Sequence, residues 1–317
     1  ENFQGLFGYA DKARIENLSL VDGNVKGEEG VGGIVGRADD TEIRNVSYAG
    51  RVNGSYNVGG IVGYAWGGSS IQNAWNAGAV SGTVQVAGGI VGYARKPAMI
   101  QNVCNTGAIT GNEKVGGIAG YTWSSTLQNA WNTGTVAGSQ KVGGIVGEAD
   151  GGSIRHAVSK TGSAGQAVGS SISGADVTTD VKVASEADMK LAATYTDWKD
   201  EHGNAVVATD GGKGTPWRIY EGHTMPLLTA LMKGTKRLEK VYDGNVFATT
   251  DPHITLVHTG KDVGTYDAYS DQFGYDLIGG AVIKPKSLTL GFTNGTRFDK
   301  TYDGSDTVTR TLTKGTN

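Results

Sequence analysis

The chain has 317 residues, 52 of them glycine and only 5 proline, and its 28 basic and 31 acidic side chains leave a net charge of −3. No basic excess is present to neutralise phosphates, so nucleic acid is not an expected partner. Glycine without a triplet period excludes collagen, the single Cys104 excludes an intrachain disulfide, and no apolar run approaches the ~20 residues that span a bilayer.

From the first residues onward one phrase recurs. FQGLFGY at 3–9 is a weak copy; VGGIVGR at 31–37, VGGIVGY at 58–64, AGGIVGY at 87–93, VGGIAGY at 115–121 and VGGIVGE at 142–148 are strong ones. Successive copies start 27 to 29 residues apart. Such a period marks a repeat architecture, in which each unit buries a face only against its neighbours. An I-x-N triplet follows each phrase: Ile15-Glu16-Asn17, Ile43-Arg44-Asn45, Ile71-Gln72-Asn73, Ile100-Gln101-Asn102 and Leu127-Gln128-Asn129, then Ile154-Arg155-His156. Fixed columns continue with a small apolar residue (Val46, Ala74, Val103, Ala130), a glycine (Gly50, Gly78, Gly107, Gly134) and a β-branched residue (Val52, Val80, Ile109, Val136). The first copy carries one extra turn residue, in Val21-Asp22-Gly23.

No segment shows a helical apolar period, and none is long enough for a stable helix. Short β-branched runs between turn residues read as strands. Three strands and three corners in each repeat describe one coil of a β-solenoid. With coils about 4.8 Å apart, six coils make a rod of about 30 Å, residues 1–160. The isoleucine of I-x-N faces the core and its middle residue faces water. Asn17, Asn45, Asn73, Asn102 and Asn129 are expected to stack as a structural ladder, because an amide both donates and accepts. The glycines are expected to allow a tight corner and close approach of coils. The valine of GGIVG stays open: its parity with the isoleucine points outward, its uniformly apolar column inward.

After each phrase the column reads Tyr9, Arg37, Tyr64, Tyr93, Tyr121 and Glu148, and is therefore outward. Two positions on it reads Asp11, Asp39, Trp66, Arg95, Trp123 and Asp150. A guanidinium between two indoles can stack on both, so Trp66, Arg95 and Trp123 form a candidate surface. It is either a ladder shielding the rod or a contact site for a sugar or protein. A second column, Trp75, Cys104 and Trp131, reads as packing.

The glycine phrase, the I-x-N strand and their spacing resemble the GLUG repeat of large secreted bacterial surface proteins, including filamentous-haemagglutinin-like exoproteins of two-partner secretion and non-catalytic regions of some immunoglobulin A metalloproteases. The resemblance covers about half the chain. It implies a right-handed β-helix, export through an outer-membrane secretion partner to the cell surface, and contact with host or neighbouring cells.

Residues 161–233 read as a closing segment that covers the apolar end of the last coil. Within it, 162–175 is a loop or an irregular last coil, and Ser185-Glu186-Ala187-Asp188 starts a short helix. Asp188-Met189-Lys190, Trp198, Trp217 and Pro226-Leu227-Leu228 are similar to the tail that follows GLUG arrays. Lys240-Val241-Tyr242-Asp243-Gly244 then recurs as Lys300-Thr301-Tyr302-Asp303-Gly304. This resembles the YDG or MBG-type β-rich modules of bacterial adhesins, with one module at 234–287 and a truncated second at 288–317. Asp-Gly reads as a hairpin turn. The chain begins inside a repeat and stops inside a module, so it is expected to be a piece of a longer protein with its targeting signals elsewhere.

Motifs of catalysis are missing. None of His156, His202, His223, His253 and His258 forms H-E-x-x-H, and no G-x-S-x-G occurs. The glycine phrase lacks the Lys-Ser/Thr of a phosphate loop. Asp39 and Asp150 stand four coils apart, about 19 Å, too far for a carboxylate pair. No enzyme, cofactor or metal site is expected. The expected protein is a monomeric all-β solenoid with a mixed cap and a small β module, acting as a structural or adhesive fragment. Its expected partners are surface proteins or glycans of host or bacterial cells. The alternatives are a carbohydrate-binding or carbohydrate-cleaving β-helix and a passive spacer.

Overall fold

The computed structural model describes residues 2–177, 180–200, 202–291 and 297–301. It forms two compact units, residues 1–209 with 213–232, and residues 210–212 with 233–317.

The first unit is a parallel β-solenoid of about six turns. The laps at 2–26, 29–54 and 114–137 have three strands each, as expected, and those at 56–82 and 86–110 have four, the former being Tyr56–Gly59, Val62–Trp66, Ser70–Asn76 and Ala79–Gly82. The opening segments stack into a six-stranded parallel sheet. Its register runs Val31, Val58, Ala87, Val115, Val142. The remaining segments lie in a second sheet that turns the other corners. In the first lap the extra turn residue is absorbed as a register shift between Val21 and Asn24.

The corner inside the glycine phrase settles the valine column. One strand stops at Gly32 and the next starts at Val35. The bend resets the alternation of side chains. Ile34 and Val35 are therefore both fully buried, as are Ile61 with Val62 and Ile90 with Val91. The glycines are required by contact, not by dihedral angle. A β-carbon on Gly32 would lie 2.1 Å from the Val35 carbonyl oxygen, and one on Gly60 2.1 Å from that of Gly89. The left-handed backbone is carried by the asparagines instead: Asn17, Asn45, Asn73, Asn102 and Asn129 have φ of 51–57°, and His156 keeps the position at 52°. Asparagine tolerates that region better than any other residue with a β-carbon.

The repeat does not end at 160. Val168–Val177 and Val181–Ala184 pair in parallel with Val146–Lys160 as an irregular last coil. The segment beyond it corrects the end-cap expectation, because it lies along the flank of the rod. Met189, Tyr195, Trp198, Trp217, Ile219 and Leu228 pack on the outward row Trp75, Cys104, Trp131 and Val158, which spans four coils. That row is apolar and outward, so the chain returns to cover it. The expected helix is two 3₁₀ turns, Asp188–Lys190 and Ala192–Tyr195, with Ser185 Oγ accepting from the Asp188 amide at 3.0 Å.

In the second unit Thr235–Val241 pairs in parallel with Asp276–Lys284, which also pairs antiparallel with Gly264–Tyr266. Asp243-Gly244 ends the first of these strands in a turn, with Gly244 at φ 81°. It is not a hairpin, since the preceding strand's partner runs parallel to it. Ser287–Gly291 pairs antiparallel with Arg297–Thr301. The second Tyr-Asp-Gly, at 302–304, lies outside the described residues.

Candidate functional site

Three files of side chains run along the rod. In the first, Asn45 Nδ2 donates to Asn17 Oδ1 at 2.9 Å, Asn73 to Asn45 at 2.9 Å, and Asn129 to Asn102 at 3.3 Å. No hydrogen bond joins Asn73 to Asn102. Asn102 Oδ1, besides the Asn129 amide, accepts the indole N–H of Trp217 at 3.3 Å, and Asn73 Oδ1 is buried without a partner.

The second file escaped sequence reading. Asn76, Asn105 and Asn132 are fully buried. Asn76 Nδ2 donates to Asn105 Oδ1 at 2.8 Å, Asn105 to Asn132 at 2.7 Å, and Asn132 to Ser163 Oγ at 2.6 Å. Each amide also donates to the carbonyl of the glycine two residues on: Gly78, Gly107 and Gly134. The signal was present as N-A-G, N-T-G and N-T-G, in register with Tyr48 and Ser159. An interior asparagine is tolerable only when all its polar atoms are met, which stacking and the turn backbone together achieve.

The third file is aromatic and cationic. The Arg95 guanidinium lies 4.1 Å from the Trp66 ring centre and 4.7 Å from that of Trp123. Beside it Tyr64, Tyr93 and Tyr121 stack at centroid distances of 5.0 and 4.8 Å. Arg37 lies 5.3–5.6 Å from the rings of Phe3, Tyr9, Tyr64 and Trp66, and binds Asp39 through two nitrogens at 2.9 and 2.8 Å. The structure thus brings Trp66, Arg95 and Trp123 together. In register, the file reads Asp39, Trp66, Arg95, Trp123, Asp150 along the axis. Arg95 lies against both indoles, and Trp66 remains 36% exposed.

Glu148 shares the tyrosine column but is buried, at 2% exposure, between Lys114 (2.7 Å) and Lys141. Lys114 also sits 3.9 Å over the Tyr121 ring. Burial alone would raise the carboxyl's pKa; the two lysines outweigh it and hold the group below the ordinary 4.5. Cys104 is buried under the flanking segment, which pushes its thiol pKa up and leaves it unreactive. His253 Nδ1 pairs with Asp271 at 2.9 Å, and among the described residues no cluster of three His, Cys, Asp or Glu side chains could hold a metal. No helix among the described residues is long and apolar enough to cross a membrane.

The fold defines a parallel β-solenoid whose polar side chains are mostly engaged along its own axis. No protein family, curated protein or solved structure matches the chain.

Proposed function

We propose that the chain is a non-catalytic, structural and adhesive module of a large secreted bacterial surface protein, and that it presents a rigid extended surface to host or neighbouring cells. The observation that carries this reading is the engagement of chemistry along the rod. The amides and the guanidinium–indole stack bind equivalent positions on adjacent coils, and the buried Glu148 carboxylate binds Lys114 of the preceding coil. Each such file resists sliding of one coil on the next, which is the mechanical demand on a stalk. The resemblance of the repeat to GLUG arrays supports the extracellular setting, and export through an outer-membrane partner belongs to the same reading. Beads coated with the purified chain should be retained on epithelial or bacterial cell layers above the level of an unrelated β-solenoid. Release of reducing sugar from any polysaccharide would overturn the non-catalytic reading.

Binding of a glycan at Trp66, Arg95 and Trp123 is the second reading, favoured by the 36% exposure of Trp66. Loss of a glycan-array signal in Trp66→Ala with Trp123→Ala would support it.

A further inference from the structure

The missing rung of the asparagine file coincides with a groove. On the flank of the solenoid a hollow of about 390 Å³ is lined by Arg44, Gln72 and Asn73 on one side and Thr215, Pro216 and Thr229 on the other. Its size falls in the range that accepts small ligands. Trp217, which follows Pro216 in the chain, donates to Asn102 Oδ1 beside the acceptor's bond from Asn129.

The groove's hydrogen-bonding groups are unspent in a specific way. Asn73 donates to Asn45, yet its Oδ1 is buried and unpartnered. The Gln72 amide, in register with Arg44 and Gln101, makes no hydrogen bond to any described residue. Thr215 and Thr229 hydroxyls donate to the carbonyls of Trp217 and Thr215, at 3.0 and 2.6 Å, and so are already engaged.

Three features narrow the occupant. Arg44 is neutralised by Glu16 at 2.6 Å and Glu42 at 3.5 Å, so an anion gains little there. The strand backbone is already bonded coil to coil, as from Ser70 N to Thr41 O at 3.0 Å, so no free edge awaits a peptide strand. What remains is amides that both donate and accept, facing an apolar ring. Hydroxyls on a pyranose match that combination, because each can accept from Gln72 Nε2 or Asn73 Nδ2 and donate to Gln72 Oε1 while ring C–H groups lie on Pro216.

We propose that this groove binds a neutral saccharide unit, held by Gln72 and Asn73 against Pro216. The site is separate from the Trp66–Arg95–Trp123 file and does not rest on the adhesive reading.

The test uses the whole chain on an array of neutral gluco-, galacto-, manno- and N-acetylhexosamine-terminated oligosaccharides, with sulfated and sialylated ones alongside. The strongest neutral glycan is then titrated by calorimetry. Gln72→Ala removes an unpartnered side chain, so the melting temperature should hold while affinity falls about tenfold, the loss of one good hydrogen bond. Trp66→Ala with Trp123→Ala should leave affinity unchanged. No binding of any neutral glycan at millimolar concentration, a preference for the charged ones, or binding insensitive to Gln72→Ala would each overturn the proposal. Bead retention on cells is a separate measurement, so failure of the groove and failure of the adhesive reading are distinguishable.

Discussion

Trp217 donates its indole N–H to the Asn102 side chain at 3.3 Å, across 115 positions of sequence. Both residues are buried, Trp217 completely. This bond joins the flanking segment to the ladder it covers. It also sets up a test of that cover. In Trp217→Ala the flank should lift while the coils stay stacked. Native Cys104 should resist maleimide. In the variant it should label at least tenfold faster, with the β-sheet circular dichroism unchanged.

Asn105 is completely buried and Asn45 only partly, so these two rungs should differ in energy. Asn105→Ala strips partners from Asn76, Asn132 and Gly107 in the dry interior. A loss of about 2–4 kcal/mol is expected from urea unfolding. Asn45 is partly exposed and in the left-handed region. Asn45→Ala should cost about 1–2 kcal/mol, and Asn45→Gly less, because glycine keeps the backbone unstrained.

Close approach, not turn geometry, governs the glycine phrase. Gly60→Ala places a β-carbon 2.1 Å from backbone and 2.6 Å from Asn76 Oδ1, and should cost about 3 kcal/mol or more or prevent folding. Gly165 has nothing within 4 Å of its β-carbon position, and Gly165→Ala should stay within about 0.5 kcal/mol.

Glu148 should make the rod acid-sensitive. Its folded pKa lies below 4.5, so the unfolded chain binds the proton more readily. The stabilisation is complete above about pH 4.5 and is lost as pH falls through the lower, folded value. In Glu148→Gln the melting temperature at neutral pH should drop, by about 1–3 kcal/mol of stability. Part of its slope below pH 4.5 should vanish.

His156 occupies an asparagine rung at φ 52°, and burial holds its pKa below 6.5. Unfolding therefore takes up a proton as pH falls from 6.5, and stability declines over that interval. His156→Asn should raise the melting temperature by about 1 kcal/mol equivalent, since Asn129 Oδ1 is unpartnered and would gain a donor. It should also flatten the profile between pH 6.5 and 5. Equal slopes in both proteins would refute this.

The period in the sequence determined the solenoid, because residues 27 to 29 apart must occupy the same place on successive laps. Ile43, Ile71 and Ile100 could be placed in the core, and Trp66, Arg95 and Trp123 in one outward file, from spacing alone. The buried Asn76–Asn105–Asn132 file was missed because asparagine two residues before glycine reads as a turn residue, although alternation after outward Trp75 points it inward. The valine column needed the corner's geometry, since alternation counts residues but not bends. Where residues 185–231 would lie could not be read from local pattern. Their position on the flank depends on Trp217 and Pro226 meeting Asn102 and Trp131, contacts between residues about a hundred positions apart that carry no period. Repetition encodes a rod because every coil solves the same local problem; the cover and its groove arise where the chain folds back once, and a single event leaves no rhythm to read.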